Sequence, residues 1–209
     1  SEYVYKTWWP DMVKLADEFD IKYVALTTFD YDSNIQPPFL FNQWDSKKVN
    51  INNQNQILSN WISKDVLKNG HELGFHGYNH VSLVESDWKN PEFMRLALVS
   101  AEKKWRINGF GNLPSIYVPP SNIIDKTGLH QLVKGMPSIK FMCSIYNGEF
   151  KEGGNREFDF DPLEPKLFDF PRTASGFYLK EEANFALNSV YLYTGIWVHF
   201  VHPDDVFQI

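Results

Sequence analysis

The sequence of 209 residues contains a single cysteine, Cys143, which excludes both a disulfide framework and a cysteine-based zinc site. Any bound metal ion must therefore be held by histidine and carboxylate side chains. The neighbours of this cysteine are apolar, which predicts that it lies in a buried strand. No apolar run approaches the roughly 20 residues that cross a bilayer, and no signal peptide begins the chain.

Positive charge is also scarce, because 20 Lys and Arg stand against 26 Asp and Glu for a formal net charge of -6. Nucleic-acid surfaces need clustered Lys and Arg, so nucleic acid is excluded as a partner. Aromatic residues make up 16% of the chain, an excess that can line a sugar groove. The length predicts one domain, 1–209, and a chain running from Ser1 without Met to Ile209 is expected to be a mature product or a piece excised from a longer protein.

Helix and strand signals alternate along the chain, which is typical of βα units around a parallel sheet or barrel. Helices are predicted at 10–19, 57–66, 90–105, 129–133 and 181–191, and strands at 23–29, 72–75, 115–118, 139–145, 167–170 and 196–201. Positions 32–56 are predicted to form a long polar loop, and 148–161 a loop or irregular hairpin. In such folds, functional residues collect at the carboxyl ends of the strands.

Two histidines, His76 and His80, follow the second predicted strand. Imidazoles at i and i+4 can face one ion from a single helical turn or tight loop, and Gly77 permits close approach of the backbone. Taken alone, the pair is explained about as well by surface or core histidines.

Two carboxylates, Asp30 and Asp32, follow the first predicted strand. Side chains at i and i+2 point to the same side of a continuing strand, so both can reach one site. One can then bind a metal while the other acts as a base. An ordinary polar turn is the better explanation of the aspartates alone, and it loses that advantage beside the histidine pair.

The last predicted strand carries His199 and His202, which alternation places on opposite sides. His202 ends the strand before Pro203 and is the candidate for the functional rim. His199 lies among apolar residues and is expected to be structural, with a local hydrogen-bond partner. His71 and His130 are predicted to have packing or surface roles.

Four short motifs occur in order, namely Thr-Phe-Asp-Tyr-Asp at 28–32, His-Gly-Tyr-Asn-His at 76–80, Tyr-Val-Pro-Pro at 117–120 and Phe-Val-His-Pro at 200–203. Together they resemble the NodB-homology polysaccharide deacetylases, carbohydrate esterase family 4, and are similar to a divergent peptidoglycan-deacetylase-like subset. The resemblance implies one catalytic domain with an α/β fold, a distorted (β/α) barrel with fewer than eight strands. It also implies an extracellular, periplasmic or cell-surface location.

Carried over residue by residue, the resemblance assigns Asp32, His76 and His80 as ligands of one divalent ion, Asp30 as general base and His202 as general acid. Such a ligand set leaves positions open for water and substrate, as a catalytic metal requires. Zinc is the first choice, and cobalt, nickel, manganese or iron also suit these ligands. The expected reaction is hydrolysis of N-acetyl groups on a hexosamine-containing polysaccharide or oligosaccharide.

The chain departs from the family that it resembles at the residue before the paired prolines. Family members usually carry an Arg there that orients the catalytic Asp, whereas this chain has Val118. Arg172 follows another predicted strand and is the candidate substitute, able to pair with Asp30 or with Asp169.

Two other functions remain open. The same fold can serve as a non-catalytic domain that retains a metal and binds glycan, or as a small-molecule amidohydrolase of allantoinase-like type. Trp44, in the predicted long loop, and Trp88 are candidates for stacking on sugar rings, and core packing explains either of them equally well.

Overall fold

Helices and strands alternate in the computed structural model, which describes residues 2–144, 157–176, 188, 191–193 and 195–205. After a π-helical turn at Val4–Trp8, the helices are α1 (Trp9–Phe19), α2 (Asn42–Ser46), α3 (Leu58–Lys68), α4 (Pro91–Asn108) and α5 (Lys126–Gly135). The strands are β1 (Val24–Thr27), β2 (Lys48–Ile51), β3 (Gln54–Ile57), β4 (Glu72–Phe75), β5 (Ile116–Tyr117), β6 (Phe141–Met142), β7 (Phe168–Asp169), β8 (Ala174–Ser175) and β9 (His199–Phe200). Short 3₁₀ turns lie at Glu85–Asp87 and Pro120–Asn122.

The central sheet has five parallel strands in the order β1-β4-β5-β6-β7, which confirms the predicted α/β class. Within the described ranges, β1 and β7 are the two edges of this sheet and do not pair with each other. Strands β8 and β9 form a separate parallel pair. The closed barrel therefore stays a prediction, while the parallel sheet places the carboxyl ends of its strands along one edge.

Helix α4 shows why the predicted helices form. The Asn90 side chain caps its start by accepting a hydrogen bond from the Glu92 N–H at 2.9 Å, and Gly109 ends it with φ of 69°. Its buried face has helical spacing and consists of Met94, Ala97, Leu98, Ala101 and Trp105. This face packs on α5 and joins the main core beneath the sheet.

The prediction of one long loop over 32–56 is wrong, because this stretch contains α2 and an antiparallel hairpin of β2 and β3. Asn52 and Asn53 connect the two strands with φ of 53° and 62°. Asparagine tolerates positive φ, and two such residues make the tight turn that suits a two-residue hairpin. The alternation Lys-Val-Asn-Ile of β2 is at the short limit of a strand signal, and the amide side chains of β3 give no alternation, so neither strand stands out in the sequence.

Three other expectations concern Cys143, the segments 148–161 and 181–191, and membrane-spanning helices. Cys143 is buried, as expected, but it directly follows β6 instead of lying within a strand. The predicted hairpin at 148–161 and helix at 181–191 lie largely outside the described residues, although 188 and 191–193 are helical. No helix in the described part of the chain is long and apolar enough to cross a membrane.

Candidate active site

The carboxyl ends of β1 and β4 bring the aspartate and histidine motifs together. Thr27 pairs with Phe75 in the sheet, and the N–H of His76 donates to the Thr27 carbonyl at 2.9 Å. Just beyond, the Tyr78 carbonyl accepts from the N–H of Asp30 at 2.8 Å. The predicted convergence of these two motifs at one rim of the sheet is therefore seen in the backbone.

His76 is half-buried and oriented by the backbone of the neighbouring strand. Its Nδ1 lies 2.8 Å from the Val118 carbonyl, so a neutral ring donates there and keeps the Nε2 lone pair free. Burial lowers the pKa of His76 to about 4, aided by the charges of His80 and His202 and opposed by the Val118 bond. The imidazole is thus neutral at pH 7, the form that binds a metal.

His80 is exposed and forms a pair with His76, their ring centroids 5.0 Å apart and their planes nearly perpendicular. One face of the His80 ring is covered by Tyr31, whose ring lies parallel to it with the centroids 6.1 Å apart. Stacking uses the face of an imidazole whereas coordination uses its edge, so Tyr31 leaves the ring nitrogens free.

The two aspartates have different surroundings. Asp30 is 0% exposed, and its Oδ1 accepts from the Tyr31 N–H at 3.0 Å, whereas its Oδ2 has no hydrogen-bond partner among the described residues. A buried carboxylate oxygen without a partner is costly and marks a candidate functional atom. Asp32 is half-buried and accepts from the Asn34 N–H at 3.2 Å. Burial and then the charges of Asp32 and Asp30 raise the pKa of Tyr78.

The donor types at this rim suit a divalent ion, since two imidazoles and a carboxylate are a common zinc ligand set. Of the described residues, however, no three His, Cys, Asp or Glu side chains are grouped as a metal site requires. The histidine pair is formed, and Asp32 does not complete a trio with it. Metal binding stays a prediction.

His202 is 58% exposed on its side chain and follows β9. The Asp205 carboxylate accepts from the His202 N–H at 2.7 Å, and the same oxygen lies 3.4 Å from Nδ1 of that imidazole. The effect of its charge on His76 shows that His202 lies near the histidine pair. His199 has the expected local partner, because its Nε2 lies 2.6 Å from the Gly176 carbonyl.

Arg172 lies beside Phe200 in the described part of the chain. Its guanidinium lies 5.1 Å from the centroid of the Phe200 ring, and burial lowers its pKa while the charge of Asp205 raises it. Pairing of Arg172 with Asp30 or Asp169 stays a prediction. The charge of Asp205, which binds His202, acts on Arg172 as well.

Both candidate stacking tryptophans are core residues. Trp44 is 7% exposed and packs on Phe29 with the ring centroids 4.9 Å apart, and Trp88 is 6% exposed and donates to the Ser82 carbonyl at 2.9 Å. The prediction that Trp44 and Trp88 stack on a sugar is therefore wrong, since both rings are buried. Helix α2 carries Trp44 inward, which the prediction of a loop concealed.

The motif residues between the two histidines fix the loop after β1. The Asn79 side chain, which is buried, donates to the Asn34 carbonyl at 2.6 Å, and the Tyr78 hydroxyl donates to the Leu40 carbonyl. Since Asn34 also holds Asp32, this network connects the histidine motif to the aspartate motif. No sequence pattern predicts the hydrogen bonds of Tyr78 and Asn79 to the loop after β1, and none predicts the contact of Asp205 with His202.

The fold is similar to that of a solved structure. The crystal structure of a "putative polysaccharide deacetylase" from Mycobacterium smegmatis matches with a TM-score of 0.57 and 15% identity, over 93% of this chain and 63% of that chain. At this identity the likeness shows the fold alone, and the chain spans less than two thirds of that structure's length. The protein belongs to the family described as "Uncharacterised protein conserved in bacteria (DUF2194)", whose match covers residues 1–209. A comparison with curated proteins gives no match.

Proposed function

We propose that the protein hydrolyses N-acetyl groups on a hexosamine-containing glycan, with a divalent metal ion as cofactor. The observation that carries this proposal is the rim where β1 and β4 end, at which the buried Asp30 adjoins the pair of His76 and His80. A rim of this kind on a fold like that of the M. smegmatis structure favours deacetylation over the other open functions.

The proposed roles follow from the contacts of each side chain. His76, His80 and Asp32 would hold the ion, which when bound lowers the pKa of water and polarises an acetyl carbonyl. Asp30 takes the proton of the attacking water through Oδ2, the oxygen left without a described partner. His202 returns a proton to the amine that leaves, so that one acetate and one free amine result.

Asp205 positions His202 for that step. Its carboxylate binds both the backbone N–H and the Nδ1 side of this imidazole, which favours a ring protonated at Nδ1 and turns Nε2 outward. Among the described residues, His202 and His80 are both exposed. Exposed functional side chains suit a polymer better than a small molecule, which is typically enclosed in a pocket.

Metal content and acetate release test the assignment together. His76→Ala and Asp32→Ala are expected to lose the metal, whereas Asp30→Asn is expected to keep the metal and lose acetate release from N-acetylated oligosaccharides. His130→Ala, a change at an exposed histidine on α5, is the control and should alter neither.

Normal zinc content in both ligand variants would overturn the site assignment. A metal-loaded wild-type protein that releases no acetate from a broad panel of glycans would instead support the binding-only function.

A further inference from the structure

Tyr31 separates the two aspartates and is the exposed aromatic residue of this rim. Asp30 is 0% exposed, whereas the neighbouring Tyr31 is 66% exposed. One face of the phenol ring lies on His80, with 14° between the two planes. The 66% exposure of Tyr31 leaves ring surface outside this contact accessible to a ligand.

The segment that carries this ring, the 31–40 loop, is fixed at several points. Asn79 binds the carbonyl of Asn34, and the Tyr78 hydroxyl binds the carbonyl of Leu40. A ring held on a fixed loop loses little conformational freedom when a ligand lies against it. Exposed apolar surface on such a support is a feature of binding sites.

We propose that the free face of Tyr31 is a stacking platform for a pyranose ring, the glycan residue adjoining the one whose N-acetyl group is hydrolysed. This inference rests on the proposed function and adds a substrate-binding residue to it. The apolar C–H face of a pyranose covers an aromatic ring while its hydroxyls stay in water, and burial of both faces drives the contact. The Asp30 bond to Tyr31 is unaffected by side-chain changes, because it uses the backbone N–H.

Binding of a β-1,4-linked N-acetylglucosamine hexamer tests the platform without turnover. The titrations are made in an Asp30→Asn background, so that the hexamer is not consumed, and the metal content of every protein is measured. Tyr31→Ala and Tyr31→Leu are expected to raise the dissociation constant roughly tenfold, because they remove the ring face. Tyr31→Phe should stay within about twofold, since it keeps that face. Phe19→Ala, at an aromatic residue of similar exposure on α1, should bind like the background protein.

Three results for the Tyr31 variants would overturn the platform. The first is unchanged binding by Tyr31→Ala and Tyr31→Leu. The second is that Tyr31→Phe weakens binding as much as Tyr31→Ala does, which would assign the effect to the hydroxyl. The third is that a variant loses its metal along with binding, which would make Tyr31 a support of His80. A background protein that does not bind the hexamer also overturns it. The proposed function is tested by a different measurement, acetate release by the wild-type protein. Hexamer binding is measured in the Asp30→Asn background and does not depend on turnover.

Discussion

Acidification should destabilise the metal-free protein through His76. This imidazole is half-buried, and its pKa of about 4 in the folded chain lies below the 6.5 of an unperturbed histidine. Between these two values the unfolded chain binds the proton and the folded chain does not. The stabilising contribution is therefore complete above pH 6.5 and is lost as the pH falls toward 4.

The two pKa values set the size of the effect. Lowering the pH from 7 to 5 should remove about 2 kcal/mol of the free energy of unfolding through this one group, and about 3 kcal/mol by pH 4. Small domains are stable by only about 5–15 kcal/mol, so the loss is readily measured. Burial of the ring is the main cause, and the charges of His80 and His202 act in the same direction.

Urea unfolding with a metal chelator at pH 7, 6 and 5 measures this loss. His76→Gln removes the titrating group, so its stability should fall by about 2 kcal/mol less than that of the wild type between pH 7 and 5. His71, whose pKa burial also lowers, is present in both proteins and cancels from the difference. His130→Gln, at an exposed position, should keep the wild-type slope. Equal slopes for the wild type and His76→Gln would refute the reasoning.

Two further substitutions test the loop network and the core. Asn79→Ala should cost about 1 kcal/mol of stability and roughly tenfold in zinc affinity, measured by competition with a chelating dye, because it frees the loop that holds Asp32. The control is Asn60→Ala, which removes the 2.7 Å hydrogen bond that the Asn60 side chain donates to the Asn108 side chain, remote from the rim. It should leave zinc affinity unchanged, and a loss of zinc affinity equal to that of Asn79→Ala would contradict the network. Trp44→Ala should cost about 3–5 kcal/mol in urea unfolding, and a loss below about 1 kcal/mol would contradict its place in the core.

The order of elements could be predicted from the sequence because it depends on local signals. Apolar spacing and the cap at Asn90 indicate α4, and a continuous apolar run indicates β1 between two helical stretches. The hairpin of β2 and β3 has neither helical spacing nor a continuous apolar run. Sheet closure depends on the relation of distant strands, which no local pattern carries.

The candidate site divides in the same way. Asp30 and His76 could be predicted to meet since parallel strands end at one edge of a sheet, and the strand ends are local features. The contact of Arg172 with Phe200 could not be predicted, because β8 and β9 pair apart from the main sheet. Burial of Trp44 depended on an unpredicted helix.

The substitution at position 118 affects the base and not the proposed ligand. His76 is held by the backbone carbonyl of Val118, an interaction that any side chain at this position preserves. In the resembling family an Arg at this position orients the catalytic Asp, and here the Oδ2 of Asp30 has no partner among the described side chains. A carboxylate without a guanidinium partner is less firmly oriented than a bidentate pair. The proposed metal ligand His76 therefore keeps its backbone support, whereas the proposed base Asp30 lacks, among the described residues, the orienting partner that the resemblance leads one to expect.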